Sequence, residues 1–305
     1  MITRGIWLII VEIVINNFLW WFDITFGFTN LQVIWAIGIC MIALGVIIYF
    51  PKRLILGLGL LIVLGHNLLD NITLQGKNMI SILWYFLHQM NGIEIGGGRL
   101  VWFSYPVLPW IGVMLLGYCF GEFYKKDADS ALRRKSLLYI GLSAVILFLV
   151  LRTWNIYGDL NHWLPYETVE KSIISYLNVS KYPPSLSFIL ITLGPALLFL
   201  RAIDNMKTKF SNKLLVFGRV PFFYYILHIF VIHVVAIIGL VITGKDWRLM
   251  ILDASTMSNG LLEGYGYSLF TVYLVWLSIV TMLYPICRVY MRYKVKTIIY
   301  LIIPD

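Results

Sequence analysis

Apolar residues in this chain recur in runs of roughly 20, the length that carries an α-helix across a bilayer core. Eight such runs, bounded by charges or turn residues, lie near 4–22, 31–50, 53–70, 105–122, 136–152, 184–201, 219–241 and 266–288. They predict an all-α fold: a polytopic transmembrane helix bundle of about eight spanning helices, one transmembrane domain over 1–305. The stretch from Ile80 to Met90 is apolar but too short to cross. It is expected to lie in the interface or to tuck into the bundle. Pro106 and Pro109 open the fourth run, Pro183 and Pro184 open the sixth, and Pro195 follows Gly194 inside it. Broken backbone at membrane depth is tolerated only where it lines a cavity or packs on protein, so these helix starts are expected to border a site.

Lysine and arginine give the runs a direction. With the N-terminus in the cytoplasm, seventeen of the 24 fall in the short inner connections, although the outer loops are longer. The positive-inside rule then places both termini in the cytoplasm of a multi-pass protein, expected in a bacterial inner membrane. The first run carries Arg4 and could be taken for a signal peptide. Glu12, Asn16 and Asn17 interrupt it and no small-residue cleavage site follows, so it reads as the first helix. The outer segments near 71–104, 153–183 and 242–265 are rich in Trp, Tyr, Asn and Gly, which is where a site is expected.

Composition excludes a soluble domain. Hydrophobic residues make up 60% of the 305, charged residues 13%, and the mean hydropathy is +0.84. The formal charge of +9 is divided among loops and forms no patch for nucleic acid. Cys40, Cys119 and Cys287 sit in apolar segments without paired spacing, so neither a disulfide framework nor a zinc site is expected, and no metal.

All five histidines, His66, His88, His162, His228 and His233, fall on the outer side or in helices that approach it. His66 and Asp70 stand four apart near the end of the third run, a spacing that would let the carboxylate orient the imidazole as a general base. The bland alternative is a helix-end histidine satisfied locally. Tyr224 shares a helix face with His228, while His233 lies well around the helix from it, and for each histidine alone an interhelical hydrogen bond competes with catalysis. Glu12 and Asn16 form another one-face pair, where a proton relay competes with simple helix pairing. Arg152, Asn155 and Asp159 stand where the fifth helix emerges; the arginine could hold an acidic group or snorkel to headgroups. On the inner side Lys125, Lys126, Arg133, Arg134 and Lys135, with Lys207, Lys209 and Lys213, would attract coenzyme phosphates or anionic lipid alike. No Walker, dinucleotide-binding, zinc-protease or serine-hydrolase motif is present, and the run from Gly96 to Gly98 reads as a flexible turn.

Four segments carry a resemblance: GHNLLD (Gly65 to Asp70), YPVLPWIGVMLLGYCFG (Tyr105 to Gly121), KYPPS (Lys181 to Ser185) and GRVPFFYYILHI (Gly218 to Ile229). They resemble the bacterial branch of the heparan-alpha-glucosaminide N-acetyltransferase catalytic-domain family. The resemblance implies a membrane enzyme that takes acetyl from cytoplasmic acetyl-CoA and passes it to an amine or hydroxyl of a glycan-type or other small polar acceptor on the far side. It also implies two further helices ahead of Thr3, Arg4 and Gly5, with an Asp-His pair on the first. A chain without them is either a piece of a longer reading frame or an inactive or repurposed member. His66, Asp70 and His228 therefore carry over as pocket residues.

The leading expectation is an acetyl-CoA-dependent transmembrane acetyltransferase. His66, Asp70 and His228 are the catalytic candidates, and Lys125, Lys126, Arg133, Arg134, Lys213 and Arg219 the coenzyme-binding ones. Glu12, Asn67, Arg152, Asn155, Asp159 and Tyr224 are the candidates for the acceptor pocket. The partners are the lipid bilayer, the acyl-CoA donor and the acceptor, without nucleic acid; a homo-oligomer is left open. The rivals are a proton-coupled transporter or flippase for a polar or lipid-linked substrate, and an inactive membrane scaffold.

Overall fold

The structure is a computed structural model that describes residues 1–204, 206, 208–253, 256, 260 and 262–302. Its helices follow the apolar runs: α1 Ile2–Trp21, α2 Val33–Ile47, α3 Lys52–Gly65, the short α4 Met79–Leu87, α5 Val107–Phe120 and α6 Ser130–Trp154. These are followed by α7 Val169–Leu177, α8 Leu186–Ile203, α9 Lys209–Arg219, α10 Pro221–Ile242 and α11 Leu269–Ile302. Among the described residues seven helices are long and apolar enough to cross a membrane: α1, α3 continued by a 3-10 turn to Leu69, α5 continued likewise to Tyr124, α6, α8, α10 and α11. The remaining predicted run, 31–50, forms α2, which is 15 residues long, about 22 Å of helix. Large apolar side chains face outward along the spans, as with Leu61 at 69% and Phe199 at 63% exposure, which suits a lipid surround.

The all-α expectation needs one correction. A three-stranded sheet, in the order β1-β3-β2, joins β1 Phe28–Leu31, β2 Asn91–Ile95 and β3 Arg99–Phe103. The last two are antiparallel, with Ile93 opposite Val101. The glycine run is their hairpin turn: Gly96, Gly97 and Gly98 hold φ of 39°, 66° and 73°, a left-handed path open to glycine and strained for other residues.

The helices sort into two compact units. The first comprises Met1–Ile13 and Thr29–Asn205. In it α2 packs along α1 and α5, α3 along α5, and α6 along α8. Two crossings depend on absent side chains. A Cβ at Gly5 would lie 2.5 Å from the Gly38 carbonyl oxygen, and one at Gly141 would lie 3.1 Å from that of Gly194. Small residues let helix backbones approach where no hydrophobic effect drives them together. The second unit comprises Val14–Phe28 and Met206–Asp305. Val216, Val220 and Cys287 form its core between α9 and α11.

Candidate functional site

In the first unit the C-terminal end of α3 tightens after Gly65 into a 3-10 turn, His66–Leu69, which turns His66 and Asn67 inward. His66 is 2% exposed. The chain then loops through residues 71–78 into α4, whose side chains stitch it to that loop. Tyr85 Oη donates to the Leu74 and Gly76 carbonyls, Trp84 Nε1 to Ile72, and the Gln89 amide pairs with the backbone of Leu74 in both directions. This stitching returns His88, the residue that ends α4, to the end of α3.

His88 Nε2 then donates to Asp70 Oδ1 at 2.9 Å. The other oxygen, Oδ2, accepts from the Asn67 amide at 2.6 Å. The expected pairing of Asp70 with His66 is therefore replaced: the carboxylate orients His88. The His66 ring stands edge-on to His88, centroids 5.7 Å apart, and neither of its nitrogens has a hydrogen-bond partner among the described residues. The 3-10 turn explains the change, because His66 and Asp70 are not separated by one α-helical turn. His88, also buried at 3%, counts in the sequence among the five outer-side histidines but falls in the short apolar stretch from Ile80 to Met90, and no pairing with Asp70 is expected of it. The flanking Trp84, Tyr85 and Gln89 place it through bonds to loop carbonyls, which the sequence does not display.

The site is walled by α8 and the segment after α6. Asn67 Oδ1 accepts the backbone N–H of Leu186 at 2.8 Å, so one side chain joins the start of α8 to Asp70. Tyr157 Oη donates to the Leu64 carbonyl; burial and the nearby Asp70 carboxylate push its phenol up, which keeps it a donor.

The other outer candidates hold the frame. Arg152, 2% exposed, donates to the carbonyls of Asn161, Ser175, Tyr176 and Asn178, most of them at the C-terminal end of α7. Those bonds take four of its five N–H groups. Asn155 ends α6 at φ 55° and exchanges two hydrogen bonds with the backbone of Trp163. Asp159 accepts from Asn161, from Ser180 twice and from Ser185. Glu12, fully buried, accepts the Trp35 N–H at 3.1 Å.

At the opposite end of α3, about 20 Å away along its axis, the basic candidates gather. Lys52 and Lys125 both reach Glu122 at 2.7 Å, and Arg133 makes a two-pronged pair with Asp204. Lys126 is exposed, and neither it nor Arg134 has an ion pair among the described residues. Lys213 and Arg219 belong to the second unit, where both are exposed; Lys207 and the Lys209 side chain lie outside the described residues.

Tyr224 and His228 also belong to the second unit. Their rings stack at 5.0 Å, and His228 Nδ1 donates to the Tyr224 carbonyl at 3.0 Å. His233 stacks on Phe22 and donates to the Met250 carbonyl. His162 is exposed.

Residues 1–158, just over half of the chain, match the family described as heparan-alpha-glucosaminide N-acetyltransferase, catalytic. The chain belongs to that family. It is an integral multi-pass membrane protein with an acetyltransferase-like catalytic domain. The matched region of the N-acetyltransferase family holds Glu12, His66, Asn67, Asp70, His88, Arg152 and Asn155; it stops before Asp159, Tyr224 and His228. No curated protein matches the chain, and no solved structure matches it.

Proposed function

We propose that this protein moves an acetyl group from acetyl-CoA on the cytoplasmic side to an amine or hydroxyl, of a glycan or another small polar molecule, on the other side. The observation that carries the reading is the separation within one unit of the family region. A buried His66, Asp70 and His88 cluster lies at one end of α3, and a lysine and arginine cluster at the other.

In the transfer, the acceptor nitrogen or oxygen attacks the thioester carbonyl, the C–S bond breaks, and coenzyme A leaves as thiol. The acceptor proton must go to a base. His66 suits that task, since both its nitrogens are free, while Asp70 fixes the tautomer of His88 beside it. Asn67 holds Asp70 and the start of α8 in register. Lys126 and Arg134 are the cations available to coenzyme phosphates, with Lys125 shared with Glu122; Arg133 is committed to Asp204. The same reading takes α2 as a short eighth crossing, so that both termini face the cytoplasm.

The test is the full chain in lipid nanodiscs with radiolabelled acetyl-CoA and a panel of amino sugars. Release of coenzyme A with label on the acceptor is expected, together with its loss in His66→Ala. No binding of acetyl-CoA to the folded protein would overturn the reading. Cysteine labelling that finds Lys126 and His162 open to the same compartment would overturn the sidedness.

A further inference from the structure

His66, Asp70 and His88 each present a ligand atom, and these atoms lie within 4.8 Å of one another. We propose that these three side chains bind a divalent transition-metal cation of the zinc class at the junction of α3 and α4.

Two neutral imidazoles and one carboxylate are the donor set of open zinc sites, which keep a further position for water or substrate. Ligand atoms about 2.1 Å from one tetrahedral cation lie about 3.4 Å from each other. The Asp70 to His88 pair is already closer than that, at 2.9 Å. The wider separation is closed by turning the His66 ring, and no hydrogen bond holds that ring in place. Metal-free, His66 is a costly residue: a side chain 2% exposed with two polar atoms unpaired. A cation gives one of those nitrogens its partner.

Electrostatics agrees. The Asp70 carboxylate supplies the one formal negative charge of the cluster, and its side chain is 9% exposed, so a buried divalent ion would be partly neutralised by it. Coordination replaces the proton that His88 Nε2 shares with Asp70; the imidazole shifts its N–H to Nδ1 and binds through Nε2. Asn67 stays as the hydrogen-bond donor that orients the Asp70 carboxylate, the role an outer partner takes around a metal ligand. Nitrogen-rich sites of this kind favour zinc, cobalt or ferrous iron over magnesium or calcium. A bound cation would take over from His66 the activation of whatever group enters the open position.

Cation binding stands apart from acyl transfer, so each can fail without the other. The full chain, purified in detergent through a histidine-free tag, is stripped with chelator, dialysed against Zn²⁺ and assayed by mass spectrometry. One zinc per chain is expected for the natural sequence and for His162→Ala, falling at least tenfold in His66→Ala and His88→Ala. Equal zinc in the natural sequence and both ligand variants would overturn the site. Should those variants not fold, stoichiometric Co²⁺ added to the stripped natural protein decides. Visible d–d bands of four- or five-coordinate cobalt support the site, and their absence overturns it.

Discussion

Asp70 hydrogen-bonds to His88, 18 residues away, at 2.9 Å, and leaves His66, four residues before it, without a partner. Two donors depend on that carboxylate, His88 Nε2 and Asn67 Nδ2. Asp70→Ala strands both inside protein. Each unsatisfied buried donor costs about 1–3 kcal/mol, so the variant is expected to unfold at clearly lower temperature in detergent, while Asp70→Asn loses less because it keeps an acceptor. Equal melting of all three proteins would show that the carboxylate organises nothing.

Arg152 separates a frame role from a substrate role. Its guanidinium joins the end of α6 to the carbonyls at the C-terminal end of α7, a fork that the lysine ammonium cannot reproduce. Arg152→Lys is therefore expected to cost roughly 3 kcal/mol and to speed proteolysis between residues 155 and 180. If the arginine instead held an acidic group of the acceptor, the lysine variant would melt normally and raise KM.

The spans were legible because a bilayer demands a run of apolar residues whatever the neighbouring helices are. The hairpin was not. NGIEI and RLVWF are five residues each, and three successive glycines read equally well as slack or as a forced left-handed turn. Proximity was legible at one place: His66, Asn67 and Asp70 lie together at the end of α3. Their pairing was not legible, since His88 arrives through hydrogen bonds from Tyr85 and Gln89 to backbone carbonyls, which leave no pattern in sequence. The same blindness applies to Arg152, whose acceptors are all main-chain oxygens.

Glycine positions in the first unit should divide sharply by what surrounds them. A Cβ at Gly38 would meet the Gly5 carbonyl oxygen at 2.7 Å, backbone against backbone, with no flexible side chain to yield. Gly38→Ala should force α1 and α2 apart at a cost of about 1–3 kcal/mol. Gly57, inside α3, has nothing within 4 Å of its added Cβ. Gly57→Ala is expected to stabilise by about 0.5–1 kcal/mol through helix propensity. Thermal melts of the two variants side by side should move in opposite directions; a shared direction would mean that the crossing is not close.

Glu12 tests the choice between enzyme and proton-coupled transporter. Its Oε2 accepts the N–H of Trp35, which lies in the first turn of α2, where backbone donors have no partner within the helix. A carboxylate there caps the second helix from the first and favours its dipole, a contribution of about 0.5–2 kcal/mol. Glu12→Gln preserves the acceptor and removes the charge. A capping role therefore predicts a small loss of stability, below about 1 kcal/mol, with acetyl transfer retained. Glu12→Leu strands the Trp35 donor and should cost about 1–3 kcal/mol. A proton relay predicts another ordering, because glutamine cannot carry a proton through: Glu12→Gln would melt like the natural protein and lose all proton-dependent flux. Reconstituted vesicles, assayed for flux and for acetyl transfer with the same two variants, separate the cases.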